Sequence, residues 1–251
     1  MDDVELLKKR FSELANKSYN AGIYLFTDFL GLAEQAIFNE VEKEFSHIKY
    51  TLFGGADGTE RVMVRFGDEE NLGYVDDFPI LCIKCAPVSQ KFADKLTHRD
   101  FLGAILNLGI ERKNIGDIPI IDNVGYVFVK RDIAEYVKDS LSRVKHTDVR
   151  TEIIEQIPEG ELYKTERRLV QAVGERVDAI VAKVFHISRD DSLSLFKKGL
   201  VFIDGRACEN NSKNLKVGET VSVRGYGRLI YRGYASTSKK GKLNIEVDLF
   251  V

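Results

Sequence analysis

The 251-residue chain is 44% hydrophobic and 30% charged, the balance of a globular protein too long for a single core and not that of a disordered one. No apolar run approaches the roughly 18–20 residues that span a bilayer, the start MDDVELLKKR has no apolar signal-peptide core, and three cysteines without a secretory signal predict a reducing cytoplasm without disulfides. The net charge of −2 conceals a gradient, from −8 over residues 1–83, through balance over 84–160, to +6 over 161–251.

Apolar spacing predicts helices over 3–17 and 29–45, the second carrying Leu32, Ala36 and Phe45. Short strands follow at 48–53 and 60–66, joined by the turn-rich Gly54-Gly55-Ala56-Asp57-Gly58. Asp68, Glu69, Glu70, Asp76 and Asp77 read as a solvated loop. The next stretch predicts strand 79–84, helix 98–108, strands 117–121 and 124–130, helix 131–144 and strand 149–155. That βαββαβ order is the ferredoxin-like or RRM-like arrangement. Thr97 and Asp100 suit a capping box for the 98–108 helix, with Phe101, Leu102, Ile105 and Leu106 inward and His98 and Arg99 at its exposed entrance.

Residues 156–160, Gln-Ile-Pro-Glu-Gly, read as a linker. Beyond it, helix 176–185 buries Val177, Ile180, Val181 and Val184, leaving Arg176 and Lys183 together on the other side. Ser188 caps a second helix with Leu193 and Phe196 inward, which Gly199 ends after Lys197-Lys198. Strand 200–203, an Asp204-Gly205 hairpin turn, strand 220–224 and a closing hairpin complete the chain. The closing arm alternates through Leu243, Ile245, Val247 and Leu249. The expected class is therefore multidomain α+β: an N-terminal α+β subdomain over 1–78, a ferredoxin/RRM-like domain over 79–160 and a C-terminal domain over 161–251.

Several motifs fail on spacing or context. Cys82-Ile83-Lys84-Cys85 lacks two further zinc ligands, and its cysteines fall within a strand, so buried packing is the better reading. His98-Arg99-Asp100 resembles a kinase catalytic loop, but Ile105 stands where that loop needs asparagine. Walker, zincin, nucleophile-elbow and dinucleotide glycine motifs are missing, and no catalytic pair nominates itself. Val124 to Arg131 keeps the Gly, Tyr, Phe and Val of the RNP1 pattern but not its basic first position or last aromatic. Tyr126 and Phe128 share one strand face there, so base stacking competes with core packing as their role.

The C-terminal series is more specific. Arg176-Val177-Asp178, Ser188-Arg189, Lys197-Lys198-Gly199-Leu200-Val201, Asp204-Gly205, Val217-Gly218-Glu219 and Val221-Ser222-Val223-Arg224-Gly225 follow in order. The series resembles the αL RNA-binding module of ribosomal small-subunit protein S-four, whose two short helices and hairpin present a basic face to folded RNA. Arg176, Lys183, Arg189, Lys197 and Lys198 suit that face, and the positive C-terminal third is the asymmetry expected where one domain meets a polyanion. Asp190 and Asp191 depart from the pattern. They are expected to favour the helix dipole and point aside; otherwise the footprint moves towards Lys197, Lys198 and the Arg224–Arg228 loop.

A wider resemblance rests on Phe26-Thr27-Asp28-Phe29-Leu30, Phe53-Gly54-Gly55 with Glu60-Arg61, Leu96 to Ala104, Asn107 to Ile110 and Ile115-Gly116-Asp117. The tail adds Arg224-Gly225-Tyr226-Gly227-Arg228 and Lys239-Lys240-Gly241. Together these resemble the bacterial YlmH family over nearly the whole chain. The resemblance implies a non-enzymatic, cytoplasmic RNA-binding protein of Gram-positive and related bacteria, associated with the large ribosomal subunit and with stalled peptidyl-tRNA. It implies rRNA or tRNA as partner, with Arg176, Lys183, Ser188, Arg189, Lys197, Lys198, Arg224 and Arg228 as RNA contacts. His98, Arg99, Tyr126 and Phe128 form a secondary set. No metal or cofactor is expected, the acidic N-terminal part is expected to face protein or solvent, and the chain is expected to act as a monomer. Two alternatives stand beside this reading: an RNA-modifying enzyme of the pseudouridine-synthase kind, and a cell-division interaction protein suggested by the family's gene neighbourhood.

Overall fold

A computed structural model describes residues 2–155, 162–238 and 241–250. The expected linker at 156–160 and Lys239-Lys240 lie outside the described residues. The chain divides into two compact units, Met1–Leu162 and Tyr163–Val251. Among the described residues no helix is long and apolar enough to cross a membrane.

The first unit opens with α1 (Asp3–Ala21), β1 (Leu25–Phe26) and α2 (Leu32–Val41). A 3-10 turn at Glu42–Phe45 ends the stretch expected to be one helix over 29–45. Glu34 accepts from the Gly31 amide at 2.8 Å, which starts α2 at Leu32 and not at Phe29. β2 (Tyr50–Phe53) and β3 (Met63–Phe66) pair antiparallel, and β1 lies on the other side of β3. Phe11, Phe38, Phe45 and Phe66 fill the core between these helices and strands. The acidic loop expected at 68–77 contains a one-turn helix, α3 (Glu69–Leu72), because the Asp68 carboxylate accepts from the Asn71 amide at 3.2 Å.

β4 (Ile80–Pro87), α4 (His98–Leu106), β5 (Ile120–Ile121), β6 (Val124–Lys130), α5 (Arg131–Ser140), β7 (Arg143–Val144) and β8 (Thr147–Ile154) follow. Their sheet runs β5-β6-β4-β8-β7, all antiparallel. Val127, Val129, Ile83 and Cys85 pack with Phe101, Ile105, Ala134 and Val137 of the two helices. Gly125 belongs to that face as well, because a Cβ there would meet the Phe101 ring at 2.7 Å. The cysteines are buried strand residues, and burial raises both thiol pKa values to about 12. Helix α5 stops at Ser140, short of the expected 144, because the chain turns back at Lys145 (φ 56°) to pair β7 with β8.

Residues 1–78 and 79–155 join in one unit through specific polar contacts. The Asp117 carboxylate accepts from the amides of Glu60 (2.6 Å) and Arg61 (3.1 Å). The Arg61 guanidinium donates to the carbonyls of Ile115 (3.0 Å) and Phe29 (2.8 Å). Gly55, at φ 105°, sits where a Cβ would come within 2.4 Å of the Phe128 ring.

The second unit holds β9 (Thr165–Ala172), α6 (Val177–Val184), α7 (Arg189–Lys197), β10 (Val201–Ile203), β11 (Arg206–Ala207), β12 (Thr220–Val223), β13 (Gly227–Thr237) and β14 (Leu243–Phe250). The strands form one antiparallel sheet, β11-β10-β12-β13-β14-β9. Asp204 and Gly205 both have positive φ, as the two-residue turn between β10 and β11 requires. Val177, Ile180, Val181, Leu195 and Phe196 pack onto Val201, Val221, Leu229 and Val247, so the helix pair has one apolar and one polar side. β9 lies where no strand was expected, and it opens with the charged run Glu166-Arg167-Arg168. It is held by Arg167, which meets the buried Asp248 across the β9–β14 pairing at 2.5 Å, while Arg232 meets the same carboxylate at 2.6 Å.

Candidate nucleic-acid interface

The polar side of α6 and α7 is built around Asp178. This carboxylate is 0% exposed, in the first turn of α6. Arg176, the residue before the helix, donates to it from Nε (3.1 Å) and from the guanidinium end (2.8 Å), a paired arrangement that fixes the fork. Arg189, the first residue of α7, reaches the same carboxylate at 3.5 Å, and Asn211 donates at 3.4 Å. The Asp178 carbonyl accepts from the Ser192 hydroxyl of α7 at 2.9 Å. Burial pushes the Asp178 pKa up, but hydrogen bonds from Arg176 and Asn211 and the charges of Arg176 and Arg189 outweigh it, so the carboxyl lies below its ordinary value.

One buried anion thus draws two arginines, from different helices, to one place. Their side chains stay 40% and 55% exposed, so both keep donors towards solvent. Lys183, Lys197 and Lys198 are exposed as well and make no ion pair among the described residues. Asp178 is the residue that sequence reasoning quoted without giving it a role. Its signal was its place two residues after Arg176, within one helical turn of the N-cap.

Ser188 caps α7 as expected. Its hydroxyl accepts from the Asp191 amide at 3.0 Å and donates to the Asp191 carboxylate at 2.6 Å, so Asp191 is spent on the helix start. Asp190 is exposed beside it. Arg224 is exposed with its guanidinium 5.8 Å from the Phe202 ring centre. Arg228 is half-buried, lying 4.2 Å over Phe250 and 5.4 Å over Tyr163; a guanidinium held on two rings supports the sheet as well as any ligand.

The secondary set requires a correction. Tyr126 and Phe128 do share a sheet face, but Phe128 is 0% and Tyr126 8% exposed. Gly55 and Gly116 lie against Phe128, so the face an RRM offers to bases is covered by the protein's own chain at this point. The neighbouring Lys84 is spent on Glu152 at 2.8 Å. Neither aromatic is a stacking platform. His98 is exposed, yet desolvation and the positive charge of Arg112 lower its pKa, against Asp117 and with help from Arg99 and Arg61. The ring is therefore neutral at pH 7 and offers a hydrogen bond and no charge. Arg99 is exposed beside it. Among the described residues no group of three or more His, Cys, Asp or Glu is placed to hold a metal ion.

Residues 75–157 match the family described as "Putative RNA-binding domain in YlmH". The chain is 28% identical over 229 residues to the ribosome-associated protein quality control protein P2 of Bacillus subtilis (strain 168), covering 88% of this chain and 86% of the relative. Among solved structures it is similar to the cell division protein ylmH from Streptococcus pneumoniae, with a TM-score of 0.50 and 18% identity. That match covers 61% of this chain and 92% of the other and speaks to fold alone.

Proposed function

We propose that this chain, whose residues 75–157 match the putative RNA-binding domain of YlmH and which resembles a ribosome-associated relative over 88% of its length, is a member of the YlmH family, a non-enzymatic, cytoplasmic RNA-binding protein acting on the ribosome. Its finer role, on this reading, is quality control of stalled peptidyl-tRNA on the large subunit, with rRNA or tRNA backbone held by the C-terminal basic face. The observation that carries the reading is the Asp178 hub, which holds Arg176 and Arg189 on one carboxylate at the starts of α6 and α7, two helices whose C-terminal ends carry the exposed Lys183, Lys197 and Lys198. Planar guanidiniums held in place suit phosphate oxygens, and the sequence-independent affinity they supply suits a folded RNA. The acidic N-terminal part, on the same reading, turns to protein or solvent.

Co-sedimentation with separated ribosomal subunits tests this. Binding is expected on the large subunit and falls steeply with salt: if about four to six phosphates are neutralised, the log–log slope lies near −3 to −5. A flat salt response, or equal recovery with both subunits, contradicts the reading. Mass analysis of RNA before and after incubation with the protein tests the enzymatic alternative; a mass change overturns the non-enzymatic assignment.

A further inference from the structure

The domain at residues 75–157 presents no open aromatic sheet face at Tyr126 and Phe128, so an RNA-binding role for it needs another surface. One is present on the opposite, helical side. A groove of about 560 Å³ runs between α4, the end of α5 and β7. Arg99, Arg143 and Lys145 line it together with the neutral donors Asn107, Ser140 and Ser142, and the only carboxylate in its lining is Asp100. Asp100 is already engaged: its carboxylate accepts from the Thr97 amide at 2.8 Å and hydroxyl at 2.7 Å, closing the α4 cap.

The cations, by contrast, are available. Arg99 and Lys145 are exposed and make no ion pair or side-chain hydrogen bond among the described residues. Arg143 makes only long contacts, 3.4 Å to the His146 carbonyl and 3.7 Å to Asp148. Arg99 stands in the first turn of α4, where the helix dipole repels a cation. Folding gains nothing from a positive charge there, whereas a bound anion would offset the repulsion. The α5 end does not oppose an anion either, because the Val137, Lys138 and Ser140 carbonyls accept from Leu141, Thr151 and Ser142. Gly103 leaves the wall open, with nothing within 4 Å of where its Cβ would stand. Residues 84–160 are charge-balanced overall, so three cations against the occupied Asp100 and the distant Asp148 partner of Arg143 make a local concentration of positive charge.

We propose that this groove is a second RNA-backbone site, in which Arg99, Arg143 and Lys145 take successive phosphodiester groups while Asn107, Ser140 and Ser142 donate to phosphate or ribose oxygens. The proposal rests on the ribosomal RNA-binding reading above and assigns the RNA contact of residues 75–157 to the helix side of the sheet. Phosphate contacts of this kind set orientation and carry no base sequence, so the occupant is structured RNA recognised by its backbone.

The test uses the full chain carrying Arg99→Gln, Arg143→Gln and Lys145→Asn, the last because asparagine tolerates the positive φ at 145. A fluorescein-labelled RNA stem-loop is titrated by anisotropy over a salt series, beside a second variant carrying Lys183→Gln, Lys197→Gln and Lys198→Gln; both variants are also melted and co-sedimented with large subunits. The groove variant is expected to melt like the wild type, bind the stem-loop roughly tenfold more weakly and have a log–log salt slope shallower by about 2 to 3. If it keeps wild-type affinity and slope while the C-terminal variant loses both, the groove proposal is overturned and the ribosomal reading stands. If it keeps RNA affinity but no longer sediments with subunits, the groove meets ribosomal protein, which also overturns the proposal. A wild-type chain that binds neither RNA nor subunits overturns both readings.

Discussion

Replacing Asp178 with asparagine removes one negative charge from the centre of the helix pair with almost no change of shape. The wild-type carboxylate is wholly buried and accepts from Arg176 twice, at 3.1 and 2.8 Å, with weaker approaches from Arg189 and Asn211. Breaking a fully buried charge pair costs about 3–5 kcal/mol, but both arginines are roughly half exposed and regain water when released. A loss nearer about 2–3 kcal/mol, typical of hydrogen bonds to charged groups, is therefore expected. For a unit of this size that is a fall of about 10–20 °C in its melting temperature. Two opposing effects then decide RNA affinity. Deleting the carboxylate relieves its repulsion of a phosphate, but the two guanidiniums that lie on it already offset that charge. Releasing two arginine side chains forfeits about 0.5–1.5 kcal/mol each of prior ordering. Ordering wins, and binding weakens by roughly fivefold, about 1 kcal/mol.

The pH dependence has a definite sign. The folded-state pKa of Asp178 lies below its ordinary value, so the stability it contributes is fully present above about pH 3.9, the unfolded carboxyl value, and is lost as pH falls through the folded value. Asp178→Asn should lack that component of acid destabilisation, and its deficit against wild type should shrink at low pH. Calorimetry from neutral pH to about pH 3, with stem-loop anisotropy at neutral pH, reads both quantities. A variant that melts like wild type, or binds RNA more tightly, refutes the hub as an organiser of the interface.

Arg189→Ala should weaken subunit association by roughly tenfold, a contact of about 1.4 kcal/mol, while shifting the melting temperature little, because its approach to Asp178 is long and exposed; wild-type sedimentation would remove Arg189 from the interface. Gly55→Ala should destabilise the first unit by more than about 2 kcal/mol, since it combines a positive φ with a contact of 2.4 Å to Phe128; thermal melting reads it, and an unchanged transition would contradict the cover over β6. Cys82 and Cys85 should react with a thiol reagent only on unfolding, because both are buried and burial holds their pKa at about 12; fast labelling of the native protein would show the strand to be open.

The α+β class, the βαββαβ order, the Thr97 and Ser188 caps, and the basic character of the α6–α7 pair were all legible in the sequence, because each rests on local periodicity or on side chains within one turn of the backbone they cap. Even the face of Tyr126 and Phe128 was read correctly. What alternation cannot say is what lies over a face, and here Gly55 and Gly116, about ten to seventy residues away along the chain, cover Phe128. The same limit explains β9: Glu166, Arg167 and Arg168 look solvated until the open edge of β14 offers its backbone hydrogen bonds and Asp248 offers Arg167 a buried partner. Helix α5 overran its true end because the apolar Leu141 and Val144 continue a helical pattern, and only the pairing of β7 with β8 turns the chain. The sequence by itself determined which residues are basic and placed Lys183, Arg189 and Lys197 on the two C-terminal helices, whereas Arg143, expected in a helix, and Arg167, expected in no element, sit on strands. Only tertiary structure decided that Asp178 would gather Arg176 and Arg189, and that Arg99 would meet Arg143 and Lys145 across a groove, because both depend on distances between elements that no local pattern encodes.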